Sequence, residues 1–261
     1  MRTKGSRGVW VGSLALIAVG VVLLLNNFAL ISGFNVAALA PLVLVIAGAV
    51  ILLRGDFLSG GEGRAFGITR GSVESATLEV SSAEIDVKMR PLQREGRLIA
   101  GQYAANARPA LHVQGTNTFL KMDRGATPWL SFADWDMGLA PDLPWQILVS
   151  ASIGQVDIDL TGLIVKNGLI STGLGDIRLI TPGEAFEPIY LRSSAGSITV
   201  IAPSGSDVRV HITEGIFFKT HIDSNRYVQV EPGVYAAHDL VSTNAPVDVY
   251  VSGMFGDAYL A

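Results

Sequence analysis

Gly154-Gln155-Val156-Asp157-Ile158-Asp159-Leu160, Gly175-Asp176-Ile177-Arg178-Leu179-Ile180-Thr181 and Gly196-Ser197-Ile198-Thr199-Val200-Ile201-Ala202 align residue for residue, with glycines 21 positions apart. Each segment alternates apolar and polar side chains, the pattern of a half-buried strand. A fixed period of this length marks a coil that stacks its strands on those of the coil before. Glycine suits the corner ahead of each strand because it reaches positive φ without a Cβ clash. Gly154, Gly175 and Gly196 are therefore read as structural corner glycines. In register, Val156, Ile177 and Ile198 form one inward ladder and Ile158, Leu179 and Val200 the next. Asp157 then faces Arg178, a cross-strand attraction worth about 0.2–1 kcal/mol.

Working outward, every period holds a second apolar stretch: Leu169-Ile170, then Ile189-Tyr190-Leu191, then Val208 to Ile212. One period thus supplies two short strands and two corners. Gly215 follows at 19 residues, and Ser252-Gly253-Met254-Phe255-Gly256-Asp257 echoes Ser171-Thr172-Gly173-Leu174-Gly175-Asp176. The same period-two alternation begins upstream, where Leu78, Val80, Ile85, Val87 and Met89 are interleaved with Glu79, Glu84, Asp86 and Lys88. Residues 71–261 are expected to form an all-β, solenoid-like domain of stacked short strands, a β-helix or an open stack of sheets. An antiparallel sandwich with turns at similar spacing is the competing fold.

The hydrophobic fraction of 49% against 16% charged residues is high for a soluble chain, and its excess lies at the front. No Asp, Glu, Lys, Arg or His occurs between Gly8 and Leu53. Val9 to Ile31 is long enough for a membrane-spanning helix, and Val36 to Leu53 stands at the short end of that range. Between them Ser32-Gly33-Phe34-Asn35 reads as a turn. Arg2, Lys4 and Arg7 precede the first run, Arg54, Arg64 and Arg70 follow the second, and the turn carries no charge. Since positive charge is retained on the cytoplasmic side, a multi-pass cell-membrane protein with both termini cytoplasmic is expected. Residues 1–54 are thus expected to form a membrane α-helical hairpin. Residues 55–70, opening on Gly55-Asp56-Phe57-Leu58-Ser59-Gly60-Gly61-Glu62-Gly63, read as a flexible linker.

A net charge of −4 offers no basic field for phosphates, so nucleic acid is not an expected partner. With no cysteine, disulfides, thiolate metal sites and thiol nucleophiles are excluded. Asp157, Asp159 and Asp176 lack the spacing of a calcium loop and read as a solvated β-face. His112, His211, His221 and His238 lie singly, without a metal-ligating spacing. Neither a phosphate-binding glycine loop nor a nucleophile elbow is present. No catalytic, cofactor-binding or metal residue is assigned, and no cofactor is expected. Phe119, Trp129, Phe132, Trp135 and Trp145 crowd one stretch. Trp129, Phe132, Trp135 and Trp145 are candidates for partner binding, or for a cap over the solenoid's open end. Ile180, Ile201 and Phe217-Phe218 could add apolar surface for self-association.

Two parts of the chain resemble a known family. Gly8-Val9-Trp10-Val11-Gly12 through Leu23-Leu24-Leu25-Asn26-Asn27-Phe28, with Ala40-Pro41-Leu42-Val43-Leu44-Val45-Ile46-Ala47-Gly48, looks like the membrane domain of LiaF-type bacterial proteins. The glycine-punctuated coils from Ser152 to Pro203 look like the adhesin-like "toastrack" β-domain that such proteins carry. The resemblance implies a non-enzymatic regulator or scaffold in envelope-stress signalling. Its implied partners are the lipid bilayer and a membrane histidine kinase. Self-association into a homo-oligomer, or a structural β-domain that polymerises at the membrane, is the alternative from another class. A carbohydrate-active enzyme on a solenoid scaffold is a third.

Overall fold

In the computed structural model the described residues are 64–93, 96–103, 109–123, 134–237 and 245–261, and their regular structure is entirely β. The chain opens with β1 (Arg64–Thr69), β2 (Ser75–Ala83), β3 (Asp86–Pro91), β4 (Arg97–Tyr103), β5 (Ala110–Gln114) and β6 (Asn117–Asp123). It continues through β7 (Asp134–Leu139), β8 (Pro144–Ile153), β9 (Val156–Asp159), β10 (Ile164–Leu174), β11 (Ile177–Ile180), β12 (Glu184–Ala185) and β13 (Ile189–Ala195). β14 (Ile198–Ile201), β15 (Val208–Thr213), β16 (Phe217–Ile222), β17 (Tyr227–Glu231), β18 (Val234–Ala237) and β19 (Val247–Leu260) complete it.

The strands build two parallel faces joined at a corner. Face A runs β6, β2, β8, β10, β13, the first half of β19, then β15. Face B runs β7, β3, β9, β11, β14, the second half of β19, then β16. Pairing is parallel from coil to coil, which a hairpin-built sandwich does not produce. The repeat's register holds: Val156, Ile177 and Ile198 are paired and buried, as are Ile158, Leu179 and Val200. Arg178 Nη1 donates to Asp157 Oδ1 at 2.8 Å.

The corner explains why glycine recurs. Gly154, Gly175, Gly196 and Gly256 stand in one column with φ of 144°, 142°, 142° and 129°. The first three donate their N–H to the neighbouring coil: Gly154 to Leu174 O, Gly175 to Ala195 O and Gly196 to Phe255 O. A Cβ on Gly175 would fall closer than 3.0 Å to the Gly154 carbonyl oxygen, nearer than real Cβ atoms come. Beside this column Asp176 Oδ1 accepts from Ser197 N, and Asp86 Oδ1 from Gln155 N, both at 2.7 Å. Gly215 is not part of it. The β16 residue opposite Gly256 is Phe218, whose buried ring lies on Gly253.

The coils do not stack in chain order. The coil β2/β3 sits between β6/β7 and β8/β9. At the other end β19 sits between β13/β14 and β15/β16. The last strand of the chain is thus interior, flanked on both sides by parallel neighbours. The outer coils are covered by antiparallel strands: β5 on β6, β4 and then β1 on β7, and β18 and then β17 on β15.

β1 lies inside the stretch 55–70 read as linker. Its pairing with β4, and the packing of Phe66 and Ile68 against the core, bring those residues into the β-domain. The two apolar runs expected to form a helical hairpin lie outside the described residues. Among the described residues no helix is long and apolar enough to cross a membrane.

Trp135 on β7 and Trp145 on β8 are wholly buried, and Trp145 Nε1 donates to Ala140 O at 2.7 Å. Trp145→Ala is expected to cost about 3–5 kcal/mol through the cavity it leaves. Chemical denaturation checks this, and an unmoved midpoint would place the ring outside the core.

Candidate interaction surface

Outward positions on the two faces differ in chemistry. On face B the rows are ionic: Lys88 Nζ donates to Asp134 at 3.0 Å, Arg90 Nη2 to Asp136 at 2.8 Å, and Arg178 to Asp157. The hydrogen bond and charge of Asp134 hold the Lys88 ammonium above its ordinary pKa of 10.5. Such exposed pairs each contribute at most about 1 kcal/mol. Their charges are met within the face, which leaves a solvated lattice.

Face A carries, next to the Glu79–Lys121 ion pair, a longer apolar and aromatic row. In register across successive coils lie Leu148, Leu169, Tyr190, Tyr250 and His211. Parallel strands repeat at about 4.8 Å, close to the separation of offset-stacked rings, so in-register aromatics stack. Tyr190 and Tyr250 have centroids 5.2 Å apart at 21°, and His211 lies 4.3 Å from Tyr250 at 8°. His211 Nε2 is 2.9 Å from Asp248 Oδ1, which fixes the end of the row. Leu169, Tyr190 and Tyr250 remain exposed.

Beside the row is an open depression of about 320 Å³, lined by Gln146, Leu148, Asn167, Leu169, Tyr190 and Arg192 among others. Asn167 Nδ2 donates to Glu187 Oε2 at 2.9 Å at its rim. An apolar centre with amide, guanidinium and carboxylate groups at the margin has the make-up of a protein-contact patch.

Of the residues singled out from sequence, Trp135 and Trp145 are interior and Trp129 and Phe132 lie outside the described residues. Phe119 is on the surface of β6. Phe217 is exposed and stacked on Phe255 at 5.2 Å, whereas Phe218 is buried. Each of the three carboxylates has a local structural role: Asp157 pairs with Arg178, Asp176 holds the Ser197 amide, and Asp159 Oδ1 accepts from Thr161 N at 2.9 Å. His112 lies exposed on β5, and His238 is outside the described residues.

The pairing of His211 with Asp248 and Tyr250 was not read from the sequence. A matching trio occurs on face B, where His221 Nε2 is 3.0 Å from Asp257 and the ring stacks on Tyr259 at 5.0 Å. The available signal was the doubled Asp-x-Tyr of β19, Asp248-Val249-Tyr250 and Asp257-Ala258-Tyr259, with a histidine at nearly the same offset upstream of each.

No protein-family model matches the chain, and no curated protein matches it significantly. Solved structures do. A candidate cell adhesion protein from Clostridium sporogenes superposes with a TM-score of 0.64 at 14% identity, covering 76% of this chain and 98% of that one. A candidate adhesin from Bacteroides fragilis aligns over 76% of this chain and 96% of its own at 13% identity, with a TM-score of 0.30. The first likeness shows that the fold is shared with the Clostridium protein.

Proposed function

We propose that the chain is a non-enzymatic, membrane-tethered module that works through protein contacts, with the β-domain as its binding part. The observation that carries this is the exposed run of Leu169, Tyr190 and Tyr250 on three successive coils of face A, where the same coils of face B present Arg178, Thr199 and Tyr259. Aromatic side chains of this kind supply the anchors of protein interfaces. The apolar runs Val9 to Ile31 and Val36 to Leu53, with positive charge on both flanks and none between, support a seat at the cell membrane with the β-domain on the cytoplasmic side. The LiaF-type resemblance adds a role in envelope-stress signalling with a membrane histidine kinase as partner. The adhesin-like fold is compatible with that reading.

A photo-crosslinking residue at Tyr190, compared with one at Arg178, tests the assignment in intact cells expressing the full chain. Adducts to a membrane kinase from position 190 and none from 178 are expected. The variant with Tyr190→Ala and Tyr250→Ala should lose the interaction while remaining folded, its stability falling by no more than the stacking removed, about 0.5–1.5 kcal/mol per ring pair. Adducts only between copies of the chain would favour the self-assembling structural role, and equal labelling from both faces would overturn the surface assignment.

A further inference from the structure

The corner between the faces carries a second apolar feature. Ile153, Leu174, Ala195, Phe255 and Phe217 are in register on five successive coils. Ile216 and Met254 precede the two phenylalanines at one end. Ile216 is 90% exposed, Met254 63% and Phe217 61%, while Ile153, Leu174 and Phe255 are each about half exposed. The ridge spans four strand spacings, about 19 Å. Large exposed apolar groups so aligned are costly in water and mark a surface that is covered in use.

We propose that this ridge rests on the lipid bilayer that holds residues 9–53. The inference depends on the membrane-tethered reading above. Its occupant follows from the length of chain between the second apolar run and β1. The nine residues Gly55 to Gly63 span at most about 30 Å when extended. Arg64 therefore stays within that distance of the membrane surface. The ridge begins on the coil of β8 and β9, four strands from β1 along face B, about 19 Å, and ends on β16, eight strands away, about 38 Å, so a pivot of the domain about its tether brings it to the membrane. The tether thus holds the ridge within reach of the bilayer at high effective concentration, where weak apolar contacts suffice. Apolar side chains, Phe and Leu among them, bury into the headgroup and acyl boundary. Asp176 and Asp257 follow the corner glycines Gly175 and Gly256 along the ridge's flank, so apolar burial rather than attraction to anionic lipid drives the contact. Face A, with its tyrosine row, is left free for a protein.

The chain has no cysteine, so single probes are readily placed. Full-length protein carrying Met254→Cys, Ile216→Cys or, as a control, Lys166→Cys is labelled with an environment-sensitive fluorophore. It is then reconstituted in phosphatidylcholine vesicles containing brominated acyl chains. Positions 254 and 216 should lose most of their emission to the bromolipid, at low and high salt alike, and position 166 should not. All three sites are exposed in the fold. Failure of the chain to float with vesicles would defeat the tether itself. Flotation without quenching at 254 and 216 would overturn the ridge contact alone. A blue-shifted but unquenched probe, with the unlabelled cysteine variant forming a disulfide-linked dimer, would also overturn it, in favour of self-association.

Discussion

Replacing Gly175 by alanine is expected to destroy cooperative folding of the β-domain. Two costs add at that site. The backbone sits at φ 142°, a region that side-chain-bearing residues avoid at about 1–3 kcal/mol. The new Cβ would also overlap the Gly154 carbonyl oxygen, so two stacked coils must separate locally, with an overpacking cost of about 1–3 kcal/mol. Separation breaks the hydrogen bonds from Gly154 N to Leu174 O and from Gly175 N to Ala195 O. A loss of about 4 kcal/mol or more is exceptional for one methyl group. A graded series isolates the cause. Gly162, at φ 73° with nothing within 4 Å of its missing Cβ, carries only the conformational cost, about 1–2 kcal/mol. Gly183 has open space and an ordinary φ, so Gly183→Ala should be neutral. Denaturation midpoints of the three variants test the order, and a Gly175→Ala midpoint near that of Gly183→Ala would falsify the corner account.

Removing residues 247–261 is expected to unfold more than the strand that is lost. In a simple solenoid the last coil covers one neighbour, and trimming it peels a single layer. Here β19 is the layer between β13/β14 and β15/β16. It buries Val247, Val249, Val251, Ala258 and Leu260, and its Gly253 receives the ring of Phe218. Full burial of a valine or leucine stabilises by about 1.5–3 kcal/mol, so four of them approach the whole stability of a domain. β15 would retain only its antiparallel partner β18. Amide exchange should show protection lost throughout β15 to β18 and retained in β8 to β11. A synthetic peptide of residues 247–261 added to the truncated chain should restore it, because the slot is lined by backbone donors and acceptors on both sides. Protection of β15 and β16 that survives truncation would refute the interior placement of β19.

The corner glycines and the inward ladders were legible because both are local demands. In each of the three aligned repeats one backbone position takes positive φ, and the repeat 21 residues earlier presents the same position directly beneath it. The echo of Ser171 to Asp176 in Ser252 to Asp257 was also legible, since both run through the same corner, at Gly175 and Gly256. Gly215 shows the limit: it follows at nearly the repeat spacing, yet among the described residues no further coil stacks on that end, and Phe218 stands at the corner position opposite Gly256. The tryptophans show another, because an interface and a core draw on the same aromatic side chains. Composition cannot separate the two for Trp135 and Trp145.

By itself, then, the sequence determined an all-β stack of glycine-cornered coils behind a long apolar front, and which side chains of each repeat point inward. The order of the coils, with β2/β3 and β19 inserted, belongs to the tertiary structure alone. So do the row Leu169, Tyr190, Tyr250 and His211 and the ridge from Ile153 to Phe217. Every coil edge exposes the same unpaired backbone groups, so backbone pairing does not distinguish one edge from another. The choice depends on how well distant segments bury their apolar faces when brought together, and that free energy exists only once the stack has formed.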